Sequence, residues 1–212
     1  MSNATVFAEL IEDFMVWLLD NRRAAFDALL QTSKHDVAWL PSHLPVLATF
    51  NDDGGGINLA TKGFGPIPRS DRLEPFTQEL TRAAALAFAD RISTARSLYL
   101  RALDFDRDVL GSLEIFGGTT RRNLVRDPRA SLLFVSGLPS YRSYQLTGRV
   151  EIVHQDDDRY RYLVSARGLF PEDGFHLRQP GYECGYLFHV EEFADKTPFR
   201  RGEAVPHDTS GR

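Results

Sequence analysis

The sequence is poor in cysteine and in long apolar runs. Cys184 is the only cysteine among 212 residues, which excludes an intramolecular disulfide framework and is typical of a reducing compartment. The longest uninterrupted apolar run, Ala83 to Ala89, is far shorter than the roughly 20 residues of a membrane-spanning helix, as is the run from Phe14 to Leu19. The N-terminal segment contains the acidic residues Glu9, Glu12 and Asp13, whereas a signal peptide has a basic region followed by an apolar one. These absences favour a cytoplasmic protein that does not interact with a membrane.

Several familiar site patterns are missing as well. The six histidines contain no His-x-His or His-x-x-x-His pair and there is no second cysteine, so we expect no metal site. The chain has neither a Gly-x-Ser-x-Gly elbow nor a Gly-x-Gly-x-x-Gly loop, which disfavours a serine hydrolase and a dinucleotide fold. A formal net charge of −4 disfavours nucleic-acid binding.

Positive charge is concentrated in the middle of this acidic chain. The segment from Arg96 to Arg149 holds nine arginines, no lysine and five acidic residues, a net charge of +4. Such a segment favours either a localised anionic ligand or a solvated basic surface.

The first half of the chain predicts helices around a hairpin. Apolar residues recur at three-to-four spacing from Val6 to Leu30, which indicates one long amphipathic helix. Strands at 44–50 and 57–62 flank the turn Asn51-Asp52-Asp53-Gly54-Gly55-Gly56, a hairpin signal. Residues 63–74 are typical of a loop, and Pro75 suits the first turn of a helix that runs to Ile92.

The second half predicts mostly strands. They are expected at 96–103, 110–116, 130–136, 142–153 and 185–190, with a bulge or close backbone approach at Gly148. Asp156 or Asp157 would cap a short helix. Short connections between successive strands favour an antiparallel barrel or sandwich. We expect a single mainly β (α+β) domain over 1–200, with a helical segment at 1–40, a helical insertion at 64–95 and a flexible tail at 201–212.

The segment after Gly117-Gly118 has the chemistry of an anion site. Thr119-Thr120-Arg121-Arg122-Asn123-Leu124-Val125-Arg126 is stopped by Asp127-Pro128, which predicts a short helix capped by a threonine. Helix N-termini present unpaired N–H groups to anions, and arginine binds phosphate oxygens through two parallel hydrogen bonds. The alternative is a solvated helix end with surface arginines.

Three segments together resemble a known group of proteins. They are Thr119 to Leu124 (TTRRNL), Asp127 to Phe134 (DPRASLLF) and Ser143 to Glu151 (SYQLTGRVE). In this order and spacing they resemble the pyridoxamine 5′-phosphate oxidase-like, FMN-binding split-barrel superfamily. The resemblance implies a split antiparallel β-barrel with a long N-terminal helix and peripheral helices. It also implies a homodimer with FMN at the subunit interface.

The resemblance also implies a set of FMN-binding residues. The phosphate would be contacted by Thr119, Thr120, Arg121 and Arg122, with Arg96 and Arg101 facing it from the preceding strand. Ser143, beside Arg142, would touch the flavin ring.

Two departures from the superfamily pattern leave part of this site open. The superfamily has a lysine at the position of Arg122, and the connection from Arg101 to Thr119 is longer than usual. The strand INLATKG would offer Lys62 to the phosphate instead. Whether Lys62 or the pair Arg96 and Arg101 completes the site is undecided at this point.

The implied function is that of an FMN-dependent oxidoreductase, an oxidase or a reductase, acting on a small molecule. The tryptophan and arginine–histidine pair that bind substrate in pyridoxamine phosphate oxidases are absent, which disfavours vitamin B6 oxidation. The alternatives are a non-catalytic protein that binds flavin, haem or another anionic cofactor, and a deazaflavin-dependent reductase. The sequence identifies no catalytic residue.

Overall fold

The computed structural model describes residues 3–32, 42–51, 56–136, 141–170, 181–198 and 205–206. Five helices and eight strands are found within these residues. Their bounds are α1 Asn3–Thr32, β1 Val46–Phe50, β2 Ile57–Thr61, β3 Gly65–Pro68, α2 Ser70–Ala83, α3 Phe88–Leu98, β4 Phe105–Leu113, α4 Thr119–Arg126, β5 Arg129–Val135, β6 Ser143–Val153, α5 Asp158–Arg167, β7 Gly185–Asp195 and β8 Val205–Pro206.

The long helix α1 is confirmed, and its apolar stripe is buried. Phe7, Ile11, Phe14 and Leu18 lie on one face at helical spacing and are all buried. The ring of Phe14 packs against those of Phe134, Tyr144 and Phe193, with centroids between 5.1 and 5.7 Å apart. The helix therefore covers the sheet where β5, β6 and β7 lie side by side.

The strands form one antiparallel sheet in the order β2-β1-β5-β6-β7-β4-β3, with β8 paired to β7. Strands β2 and β3 lie at opposite edges although only Lys62, Gly63 and Phe64 separate them in sequence. Such a short connection spans at most about 14 Å, because each residue extends the chain by no more than about 3.6 Å. A flat path of seven strands would place its edges about 29 Å apart. The sheet therefore curls on itself, and the predicted split antiparallel barrel with peripheral helices is confirmed.

Gly148 marks a bulge in β6, as predicted. The register between β6 and β7 shifts between Thr147 and Gly148. A β-carbon at Gly148 would clash with the carbonyl oxygen of His189, so the two backbones approach more closely than any side chain allows.

Three predictions for residues 63–103 are wrong. The loop at 63–74 contains the strand β3, in which Pro66 and Pro68 are tolerated because an edge strand does not use every N–H group. The helix predicted to start at Pro75 begins at Ser70 and ends at Ala83, and a second helix, α3, follows. The predicted strand at 96–103 begins inside α3 and continues through a 3-10 turn.

Packing on α1 explains why the chain at 96–103 is not extended. Ile92, Ala95 and Leu98 are buried at helical spacing, and α3 packs against α1 and α2. The ring of Tyr99 lies 5.4 Å from that of Phe26 on α1. Tertiary contacts therefore extend a helix where a partial alternation predicted a strand.

The remaining elements follow the sequence closely. The Asp157 carboxylate accepts the N–H of Arg159 and caps α5, as predicted. The segment predicted as a tail contains β8, and its other residues lie outside the described part of the chain. In the described residues, no helix is both long enough and apolar enough to cross a membrane.

Candidate functional site

The helix α4 starts with its first turn uncapped by any side chain. Gly118 occupies the N-cap position, so the expected threonine cap is wrong by one residue. Gly117 has φ = 60°, a left-handed conformation that favours glycine and turns the chain from the end of β4 into the helix. A β-carbon at Gly118 would have no neighbour within 4 Å. Open space therefore lies beside Gly118 at the start of α4, whose first N–H groups have no partner within the helix.

A buried network of amides and hydroxyls attaches α4 to the β1–β2 hairpin. Asn58 donates to the hydroxyl of Thr120 over 3.1 Å. Asn123 donates to Thr49 over 3.1 Å and to Asn51 over 3.2 Å. Thr49, Thr120 and Asn123 are all buried. The network holds α4 at a defined position on the sheet and places Thr120 partly in a structural role.

The two arginines of the first turn have different environments. Arg122 is exposed and donates to the hydroxyl of Thr119 over 2.9 Å. Arg121 is partly buried, and its guanidinium lies 2.6 Å from the carboxylate of Glu183. Its Nε is buried without a hydrogen-bond partner. Thr119, Arg121 and Arg122 are therefore brought together around the helix N-terminus, as predicted.

A buried carboxylate lies behind this turn. Glu114 follows β4 directly, and one of its oxygens accepts the N–H groups of Phe116 and Gly117 over 2.9 and 3.2 Å. The other oxygen accepts from Lys62 Nζ over 2.9 Å and from the hydroxyl of Tyr186. The side chain of Glu114 is 1% exposed and that of Lys62 is 11% exposed. Glu114 thus links the end of β2, the end of β4, β7 and the turn before α4.

These contacts decide the ionisation of the cluster. Burial opposes the charge on Glu114, but hydrogen bonds from Lys62, Tyr186 and Phe116 outweigh it and hold its pKa below the usual range. Burial raises the pKa of Tyr186, and its hydrogen bond to the Glu114 carboxylate raises it further. Tyr186 therefore remains a neutral donor while Glu114 and Lys62 are a charged pair.

Lys62, rather than Arg96 and Arg101, lies beside this site. Arg96 is on α3 and pairs with Asp27 of α1. Arg101 pairs with Glu79 and Asp104, and its guanidinium lies over the ring of Phe76. These partners belong to the helical layer, whereas α4 packs on β1 and β2. Arg96 and Arg101 therefore do not lie on a strand that precedes Thr119, contrary to the expectation.

Ser143 lies at the start of β6 and is buried. It pairs with Val135 at the far end of β5. This strand begins at Arg129, just after α4, and Val135 is six residues further along it. At about 3.4 Å per residue, Ser143 is about 20 Å along the strand from the C-terminal end of α4. Contact between Ser143 and a flavin ring stays a prediction.

Four residues of the site were not predicted from the sequence, namely Glu114, Tyr186, Asn58 and Glu183. Glu114 carries a usable signal, because it is the only charged residue in the predicted strand 110–116, which ends at two glycines. The other three carry no local signal, since they reach α4 from distant parts of the chain. Among the residues that the structure describes, no group of His, Cys, Asp or Glu is arranged to hold a metal ion.

Comparison with known proteins yields likenesses of structure at low sequence identity. No protein-family model and no curated protein matches the chain. An FMN-binding protein from Syntrophomonas wolfei is 10% identical over 92% of this chain and 97% of its own, with a TM-score of 0.49. A pyridoxinephosphate oxidase family protein from Clostridium acetobutylicum, related to general stress protein 26, is 11% identical over 91% and 95%, with a TM-score of 0.44.

A heme binding protein from Mycobacterium smegmatis is 14% identical over 90% of this chain and 58% of its own, with a TM-score of 0.45.

Proposed function

We propose that this protein binds FMN, with the phosphate at the N-terminus of α4, and that it is an oxidoreductase for a small molecule other than vitamin B6. The observation that carries the proposal is the uncapped first turn of α4, which is bordered by open space at Gly118 and carries Arg121 and Arg122. Phosphate is the anion that such a turn and two guanidiniums bind best. The sequence resemblance supports a flavin as the rest of the ligand.

The residues of the turn have distinct roles in this proposal. The exposed guanidinium of Arg122 and the Thr119 hydroxyl, which lie 2.9 Å apart, donate to the phosphate oxygens. Arg121 supplies the second positive charge. Thr120 offers its hydroxyl proton while its oxygen accepts from Asn58.

Lys62 contributes a further hydrogen-bond donor to the same site. An ammonium group has three protons, and one is used on Glu114, so Lys62 retains donors for a ligand. We assign it, rather than Arg96 or Arg101, as the third basic residue because those arginines are paired within the helical layer.

When FMN is bound, its ring supplies the hydride or electron transfer. The chain holds the cofactor and orients it, and the hydrogen bond from Lys62 to Glu114 fixes the position of the Lys62 ammonium beside the phosphate. We assign no side chain as acid, base or nucleophile.

An apolar face of the barrel supports a homodimer. Outward-facing residues of β1, β2 and β5 are exposed, with Ile57 at 61% and Leu59 at 66%. The strand registers place them on the same face of the sheet, where they are Phe50, Ile57, Leu59, Leu133 and Val135. Contiguous exposed apolar patches of this kind mark interfaces. We propose that a second copy of the chain covers this face.

The direct test is the visible spectrum of the purified protein, followed by titration with FMN. Flavin absorbance, or quenching of added FMN fluorescence at one site per chain, is expected. A Soret band would favour a haem-binding protein instead. A colourless protein that takes up no FMN would exclude the proposal, and bleaching of bound flavin by a reduced nicotinamide would separate an enzyme from a carrier.

Two arginines of α4 offer a matched pair of variants. Arg122 and Arg126 are both exposed, but Arg122 is in the first turn and Arg126 in the last. Arg122→Ala is expected to weaken FMN binding at least about tenfold, because a charge-assisted hydrogen bond contributes about 1.5–3 kcal/mol. Arg126→Ala is expected to leave the affinity nearly unchanged. Equal losses in the two proteins would place the phosphate elsewhere.

A further inference from the structure

The carboxylate of Glu183 lies against the N-terminal turn of α4. One oxygen is 2.6 Å from the guanidinium of Arg121. The other is 3.1 Å from the position that a β-carbon on Gly117 would take. An anionic side chain therefore pairs with the same arginine, and borders the same glycine turn, that the proposed phosphate site uses.

We propose that Glu183 is an internal competitor for the anion site, which a ligand phosphate displaces and which thereby selects the charge of the ligand. This inference rests on the proposed function, since it concerns the same site. In the structure the charge of Arg121 is already balanced, so an incoming anion gains from Arg121 only by replacing Glu183.

The side chain of Glu183 is free to leave, whereas its backbone is held in place. The side chain is 54% exposed, and an ion pair at this exposure is weak. The carbonyl of Glu183 faces the ring of His154 at 3.3 Å, and the next residue, Cys184, accepts the N–H of Glu114 over 3.0 Å. Rotation of one side chain therefore opens the site without moving the strand.

The carboxylate of Glu114, in contrast, is held in place. It is 1% exposed and accepts four hydrogen bonds, so its removal from Lys62 and Tyr186 would leave buried groups unpaired. Of the two acidic side chains near the turn, only Glu183 is displaceable.

The exchange favours a phosphate monoester over a carboxylate. A ligand carboxylate carries the same charge as Glu183 and gains nothing by replacing it. A phosphate monoester carries about −1.5 to −2 charges at neutral pH and three acceptor oxygens, so it interacts more strongly with the same arginine. Competition from Glu183 thus favours ligands that carry more negative charge than a carboxylate.

The test compares Glu183→Gln with Glu192→Gln. Both variants remove one negative charge from an exposed position, but Glu192 lies about 23 Å further along β7 than Gly185 and so serves as the control. Glu183→Gln is expected to tighten FMN binding about threefold, in keeping with the strength of an exposed ion pair. Riboflavin, which lacks the phosphate, is expected to bind both variants and the unchanged protein equally.

A gain in affinity is a readout that damage to the fold does not produce. An unchanged or weaker FMN affinity in Glu183→Gln would overturn the inference, as would an equal gain for riboflavin or for Glu192→Gln. If no flavin binds any of the three proteins, inorganic phosphate is the probe, followed by the backbone amide NMR shifts of Gly118, Thr119 and Thr120. Larger phosphate-induced shifts in Glu183→Gln would then support the competitor while the FMN proposal fails, and equal shifts would overturn both.

Discussion

At the scale of single residues, the fold buries the carboxylate of Glu114, whose side chain is 1% exposed. An ionised carboxylate without partners is too costly to bury, and this one is stable because two backbone N–H groups, Lys62 and Tyr186 donate to it. The cluster ties the turn before α4 to the barrel, so its loss would affect both stability and the candidate site.

Glu114→Gln is expected to lower the free energy of unfolding by about 3 kcal/mol at neutral pH, because the variant leaves the largely buried Lys62 without a counter-charge. Urea denaturation measures this. Lys62→Met/Glu114→Gln is expected to lose less than the two single variants together, since no charge remains unpaired. Wild-type stability in Glu114→Gln would contradict the assigned role.

The same carboxylate makes stability depend on pH. Because the pKa of Glu114 is lowered in the folded protein, its stabilising contribution is complete above the unfolded value of about 4.3 and is lost as the pH falls through the folded value. The difference in unfolding free energy between the wild type and Glu114→Gln is therefore expected to shrink below about pH 4.3. A constant difference down to pH 2 to 3 would contradict this.

At the scale of elements, α4 is short and mainly polar, so its position depends on hydrogen bonds to the β1–β2 hairpin. Eight residues are too few for a helix to be stable alone. Asn123 makes two of these bonds, to Thr49 and Asn51, in a buried position. The hairpin thus determines where the proposed phosphate site lies.

Asn123→Ala is expected to lower the free energy of unfolding by about 1–3 kcal/mol, because the buried Thr49 hydroxyl loses a partner. It is also expected to speed amide hydrogen exchange in α4 and to weaken FMN binding. Val125→Ala, on the exposed side of the same helix, is the control. It is expected to change neither the amide exchange in α4 nor the affinity for FMN. Unchanged exchange in Asn123→Ala would show that α4 is held by other contacts.

At the scale of the whole molecule, the curled sheet has one face in contact with α1 and an apolar outer face on β1, β2 and β5 that stays exposed. If two copies join through this face, a charge placed on it prevents association without disturbing the core. Leu59→Asp is expected to elute and sediment as a monomer, whereas the wild type has twice the chain mass.

Leu103→Asp is the matched control, since Leu103 is 72% exposed but lies on the 3-10 turn before β4. It is expected to remain dimeric. A monomeric wild-type protein, or a dimeric Leu59→Asp, would exclude this interface.

The sequence by itself determined the elements that depend on local chemistry. Helical spacing predicts α1, turn residues predict the β1–β2 hairpin, and Gly117-Gly118 with Asp127-Pro128 delimits α4. Gly148 marks its bulge and Asp157 its cap. Each of these signals acts within a few residues of the chain, which is why these elements were predictable. The fold class was predictable because short connections between successive strands favour an antiparallel barrel or sandwich.

Only the tertiary structure decided which residues meet at the site. Glu114 reaches Lys62 and Tyr186 across 52 and 72 residues, and no local pattern encodes such pairs. Packing against α1 turned the segment around Arg96 into a helix and drew Arg96 and Arg101 into ion pairs away from α4. The curl of the sheet brought Lys62 to the end of β4, because the short connection from β2 to β3 joins the two edges of the barrel.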